Sequence, residues 1–125
     1  MLKITVLSKR CLNLYQRMDQ NFNPDKQHTL SESISISGTG LHTGVLVDMK
    51  LLPANPGFGI QFQRVDLPNK PIIKADCDLV TDTSRGTTLQ VGEAKVSTVE
   101  HILAALVGMG VDNALIQVNG PEIPI

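Results

Sequence analysis

The chain of 125 residues has no tryptophan, one tyrosine and three phenylalanines. So few aromatic faces leave little on which bases could stack, which argues against nucleic acid as a partner. Cysteine is scarce as well. Cys11 and Cys77 allow at most one bridge and neither lies in a C-x-x-C pair, so a disulfide framework is excluded and a reducing, cytoplasmic setting is expected. No apolar run approaches the ~18 residues of a membrane-spanning helix. Without aromatics the core has to be built from Ile, Leu, Val, Ala and Met, and an apolar content of 42% is ordinary for one globular domain or part of one.

Acidic residues are missing from the start. The first eighteen residues, "MLKITVLSKRCLNLYQRM", carry Lys3, Lys9, Arg10 and Arg17 and no Asp or Glu, whereas from Asp19 onward seven basic residues face twelve acidic ones. Such a segment reads as an organellar presequence, a short membrane-surface helix, or sequence translated from too early a start; the last, with Met18 as the true start, is favoured. "NFNPDKQ" then reads as a flexible lead-in. Residues 1–27 are accordingly expected to be a leader and 28–125 the folded part.

What is present in that part is alternation. "TLSESISIS" puts Leu30, Ile34 and Ile36 on one face and serines on the other, and "VLVDMKLL" puts Val45, Val47, Met49 and Leu51 opposite Asp48 and Lys50. The period of two predicts half-buried strands, paired antiparallel across "GTGLHTG". "IQFQRV", with Ile60 and Phe62 inward, "PIIKA" and "TTLQ" extend a meander of short strands, with a further turn at "VGEA". From Ser97 the period changes: Val99, Ile102, Leu103 and Leu106 recur at helical spacing, and Ala104, Ala105 and Val107 make the helix apolar nearly all round, so it is expected to be buried against the sheet. Gly108 and Gly110 end it, and "NALIQV" follows as an expected central strand. The fold class is α+β, a mostly antiparallel sheet with a buried helix on one face. One helix leaves part of that face uncovered, so an incomplete domain is expected.

Glu100 and His101 begin the helix, and two readings stand. Ser97-x-x-Glu100 has the form of a capping box, in which the serine accepts from the N3 amide and the glutamate reaches back to the N-cap amide; His101 is then an ordinary surface histidine. Alternatively the two divide the labour of a metal hydrolase. Neighbours on a helix point about 100° apart and do not share one ion comfortably, but His101 can ligate it while Glu100 takes a proton from the water it activates. His28 and His42 are the only other histidines and no H-E-x-x-H or H-x-H spacing occurs, so further ligands have to come from elsewhere. His42 lies among Gly38, Gly40 and Gly44, either filling a hairpin turn or facing a ligand that the glycines let approach. Arg85 in "TDTSRGTT" is a solvated turn arginine or an anion contact. Cys77 reads as a plain half-buried thiol.

Together, and in this order, "SGTGLHTG", "DTSRGTTL", "VSTVEHILAALVGMGVDNALIQVN" and "PEIPI" resemble the N-terminal half of the zinc-dependent UDP-3-O-acyl-N-acetylglucosamine deacetylases of lipid A biosynthesis. The resemblance runs from about Thr29 to Ile125. It implies the first domain of a two-domain α+β sandwich, truncated before its second helix, with Glu100 as general base and His101 as a zinc ligand. It further implies that a His, an Asp and a histidine acid come from the second domain, and that the substrate is a UDP-linked acylated glucosamine, with His42 and Arg85 as candidate substrate contacts. In some bacteria such a protein is fused to a dehydratase. A non-catalytic α+β module whose exposed face binds a partner, such as the remainder of its own chain, is the competing expectation.

Overall fold

The computed structural model describes residues 25–125. The basic stretch at the start, with Cys11 and Met18, lies outside them.

Two sheets are present among the described residues. The larger contains β1 (Ile34–Thr39), β2 (Leu46–Pro53), β3 (Ile60–Arg64), β4 (Ile72–Lys74) and β8 (Ala114–Val118), in the order β1-β2-β8-β3-β4. The smaller is β5 (Val80–Asp82), β6 (Thr88–Val91) and β7 (Ala94–Val96), in chain order. One helix, α1 (Glu100–Gly108), separates the last two strands. The chain is α+β as expected, and β1 and β2 pair antiparallel with Ile36 opposite Met49 and Gly38 opposite Val47.

The alternation of β2 does what its pattern predicts: Val47, Met49 and Leu51 are buried while Leu46, Asp48 and Lys50 are exposed. Val45 was expected among the inward residues, but the strand starts one residue later and Val45 sits exposed in the turn. The first strand is also shorter than its pattern. Thr29 forms a single parallel bridge to Asn113, and continuous pairing begins only at Ile34.

The meander is interrupted once. Strand β8 enters between β2 and β3, antiparallel to the first with Leu51 opposite Ile116, and parallel to the second with Phe62 opposite Ile116. Its Ala114, Ile116 and Val118 are wholly buried, as befits a strand with neighbours on both sides. β5 and β7, three residues each, have too short a pattern to be read in sequence. β6 and β7 are joined by the tight turn at Gly92 and Glu93, with Gly92 at φ 57°.

Phe62, Leu51, Ile73, Ile116 and Leu106 form the centre of the core. Arg64 is buried beside it and is satisfied on both sides: its guanidinium donates to both carboxylate oxygens of Asp66 at 2.9 and 2.7 Å and to the Lys95 carbonyl at 2.7 Å. This planar fork ties the end of β3 to β7, and it holds the Asp66 carboxyl below its usual pKa.

The helix is less buried than its composition suggests. Leu106 is fully enclosed, Ile102, Leu103 and Met109 pack half-buried against the core, and Ala104, Ala105 and Val107 face outward, Val107 at 74% exposure. No described segment lies over that side. None of the helices among the described residues is long and apolar enough to cross a membrane.

Candidate active site

The helix start is built by backbone strain and long-range contacts, not by a capping box. Ser97 has its N–H on the Pro121 carbonyl at 2.8 Å and its carbonyl on the Ile123 N–H at 3.0 Å, while its hydroxyl accepts from Thr88 at 3.0 Å. Thr98 follows at φ 61°, a left-handed conformation uncommon for a β-branched residue. The helix therefore begins only at Glu100, with Val99 as its N-cap and no side-chain cap. Glu100 is at the first helical position instead of the third, too early to close the expected box.

Its carboxylate goes elsewhere. Oε2 accepts from the Thr87 N–H at 3.0 Å, and a Cβ at Gly86 would lie 3.0 Å from Oε1, so the loop before β6 approaches Glu100 as closely as glycine permits. Burial pushes the Glu100 carboxyl up, but its own N–H, that of Thr87, and the nearby His101 and His42 outweigh this and hold it below the ordinary carboxylate pKa. It is ionised at neutral pH, half-buried, and positioned by the main chain.

His101 is exposed, and among the described residues its imidazole has no hydrogen-bonding partner. Arg85 is exposed on the loop that carries Gly86 and Thr87, where its charge is one of the influences that lower the Asp82 carboxyl pKa, after the hydrogen bonds from Ser84. His42 is exposed in the β1–β2 turn, which closes by Gly40 N–H to Val45 carbonyl at 2.9 Å and Gly44 N–H to Gly40 carbonyl at 3.0 Å. The structure thus gathers His42, Glu100 and His101 at one corner, with Arg85 on the adjoining loop.

One residue at this corner escapes a reading by composition. Glu122, in "GPEIPI", has no exposed surface and no basic side chain paired with it among the described residues. Its carboxylate accepts from the His42 N–H at 3.0 and 3.2 Å, the Thr43 N–H at 2.8 Å and the Thr98 hydroxyl at 2.8 Å. Burial alone would raise its pKa; these donors, led by the Thr43 and His42 amides, bring it down to about 2. The available signal was an acid inside an apolar, proline-flanked run.

For a zinc ion this corner provides the imidazole of His101, without a hydrogen-bonding partner among the described residues, directly beside a carboxylate already engaged by an amide. That fits one ligand and an adjacent base. The group among the described residues that brings three donor atoms within 4.8 Å is Asp76, Cys77 and Asp78, all exposed and without a histidine. Asp76 is explained there by its own turn, in which it accepts from the Asp78 N–H at 3.0 Å.

Residues 27–125 match the family model of LpxC, UDP-3-O-acyl N-acetylglycosamine deacetylase. The chain belongs to this family. A UDP-3-O-acyl-N-acetylglucosamine deacetylase from a Nostoc species is 55% identical over 100 residues, 80% of this chain and 36% of that protein. The counterpart from Methylococcus capsulatus is 50% identical over the same length, covering 33% of it. A bifunctional LpxC/FabZ enzyme from Bacteroides thetaiotaomicron is 54% identical, with 22% of its length covered. The chain thus spans about a third or less of these LpxC relatives.

Proposed function

We propose that the chain is the N-terminal part of a cytoplasmic, zinc-dependent deacetylase that hydrolyses the acetamido group of UDP-3-O-(3-hydroxyacyl)-N-acetylglucosamine, releasing acetate and the free amine for lipid A biosynthesis. The observation that carries this reading beyond family membership is the pair at the uncapped helix start: an ionised Glu100 fixed by the Thr87 amide, next to a His101 imidazole without a hydrogen-bonding partner among the described residues.

Glu100 is the general base. Its carboxylate is charged at neutral pH and its reach is limited by the Gly86 loop, so it meets an attacking water from one direction. His101 holds one position of the metal. Zinc, when bound, supplies polarisation of the amide carbonyl and a water acidic enough to be deprotonated near neutrality. His42 and Arg85 face the substrate, Arg85 suiting the charge of its diphosphate. The remaining ligands and the acid that protonates the leaving nitrogen come from the part of the relatives that this chain does not span, and residues 28–125 by themselves are inactive.

The test uses full-length protein. Glu100→Ala is expected to keep stoichiometric zinc and lose kcat by about 10²- to 10⁴-fold, the usual worth of a positioned base, whereas His101→Ala loses the metal as well. An active, zinc-replete Glu100→Ala enzyme would overturn the assignment.

A further inference from the structure

Glu122 spends a buried charge where an apolar side chain would fit the core. A carboxylate removed from water is costly unless fully hydrogen-bonded, and among the described residues no basic side chain pairs with this one. Among the described residues its donors come from two loop segments: the His42 amide and the amide and hydroxyl of Thr43 in the β1–β2 turn, and the hydroxyl of Thr98, two residues before Glu100. Its chain neighbours hold the same two segments through their backbones. Pro121 and Ile123 pair with Ser97, and Pro124 bridges Gly40. Space is closed as well as charge, because a Cβ at Gly40 would collide with the Glu122 carboxylate. The sheet gains nothing specific from this carboxylate; what it sets is the placement of the His42 turn relative to the strained entry into α1.

We propose that Glu122 is a positioning residue, which fixes the His42 turn against the Thr98–Glu100 segment and so sets the geometry in which the deacetylation site works. The proposal rests on the deacetylase reading above. It makes Glu122 act through the turn, not by contact with substrate or metal.

The experiment combines turnover and amide exchange on full-length, zinc-loaded protein at a temperature where each variant is folded by circular dichroism. Glu122→Gln places an amide among N–H donors. It is expected to speed exchange in peptides covering Leu41–Gly44, leave β2 and β8 protected, and lower kcat about 10- to 100-fold, as loss of a positioning partner does, with KM changed by less than about threefold. In a His42→Ala background, itself impaired, the same substitution should change kcat by less than about threefold, because both lesions act on one unit. Should Glu122→Gln not fold, Gly40→Ala, which keeps the charge but forces the turn off it, has to give the same pattern. Unchanged exchange in the turn, an undiminished kcat, an unimpaired His42→Ala enzyme, or an equal loss in both backgrounds would each overturn the proposal. Wild-type protein without deacetylase activity would sink the functional reading instead, and the exchange arm would then decide alone whether Glu122 holds the turn.

Discussion

The five-stranded sheet and the corner beside it handle buried polar groups in opposite ways. In the sheet, strand pairing takes up the polar backbone, and the side chains between strands, Phe62, Leu51, Ile73 and Ile116, are apolar and fully enclosed. At the corner the backbone belongs to turns, Thr98 is strained at φ 61°, and a buried glutamate collects the amides that no strand takes. The sheet is thus held by volume and the corner by acceptors. Sheets of this kind fail when a cavity opens; such corners fail when a charge is neutralised.

The comparison can be broken first at the sheet. Phe62→Ala is expected to cost about 3 to 5 kcal/mol in urea unfolding at neutral pH, and a loss under about 1 kcal/mol would mean that the sheet is not packed as described. Next comes the corner, where acid is the probe. The folded pKa of Glu122, about 2, lies below the ordinary 4.5, so its contribution is present above about pH 4.5 and disappears as pH falls towards 2. A shift of that size corresponds to about 3 kcal/mol. Unfolding measured at pH 5 and pH 2.5 should show wild type losing most of its margin over Glu122→Gln. Asp66, shifted in the same direction, is common to both proteins and cancels in the difference. Parallel losses in the two would place the acid sensitivity elsewhere.

The helix sharpens the comparison because its neighbouring residues differ in burial. Leu106→Ala should cost about 2 to 5 kcal/mol as a fully buried leucine, Leu103→Ala about 1 to 2 kcal/mol because it is only half-buried, and Val107→Ala less than about 0.5 kcal/mol because it faces outward. Thermal and urea melts of the three rank the faces of α1. A costly Val107→Ala would reveal a covering segment over that side.

Much of the sheet was legible from alternation. Residues Val47, Met49 and Leu51 in β2, and Phe62 in β3, fell on the side expected of them, since a period of two is a property of the strand alone. The helix was legible in position but not in depth, because periodicity reports which residues are apolar and not whether another layer lies over them. At the candidate site, Glu100 and His101 were visible as an adjacent carboxylate and imidazole before an apolar run. Ser97-x-x-Glu100 misled, because a capping box presumes a free serine, and this one is committed to Pro121, Ile123 and Thr88.

By itself the sequence determined the strand faces, the central character of "NALIQV", the tight turns at glycine and the pairing of a carboxylate with an imidazole at the start of a helix. Those are consequences of side-chain type and spacing within a few residues. Only the tertiary structure decided that β8 lies between β2 and β3, that Glu100 turns to the Thr87 amide, and that Glu122 takes the amides of a turn 80 residues earlier in the chain. These depend on which distant segments meet once the core has closed, and a buried carboxylate reads in sequence like a surface one until its donors arrive.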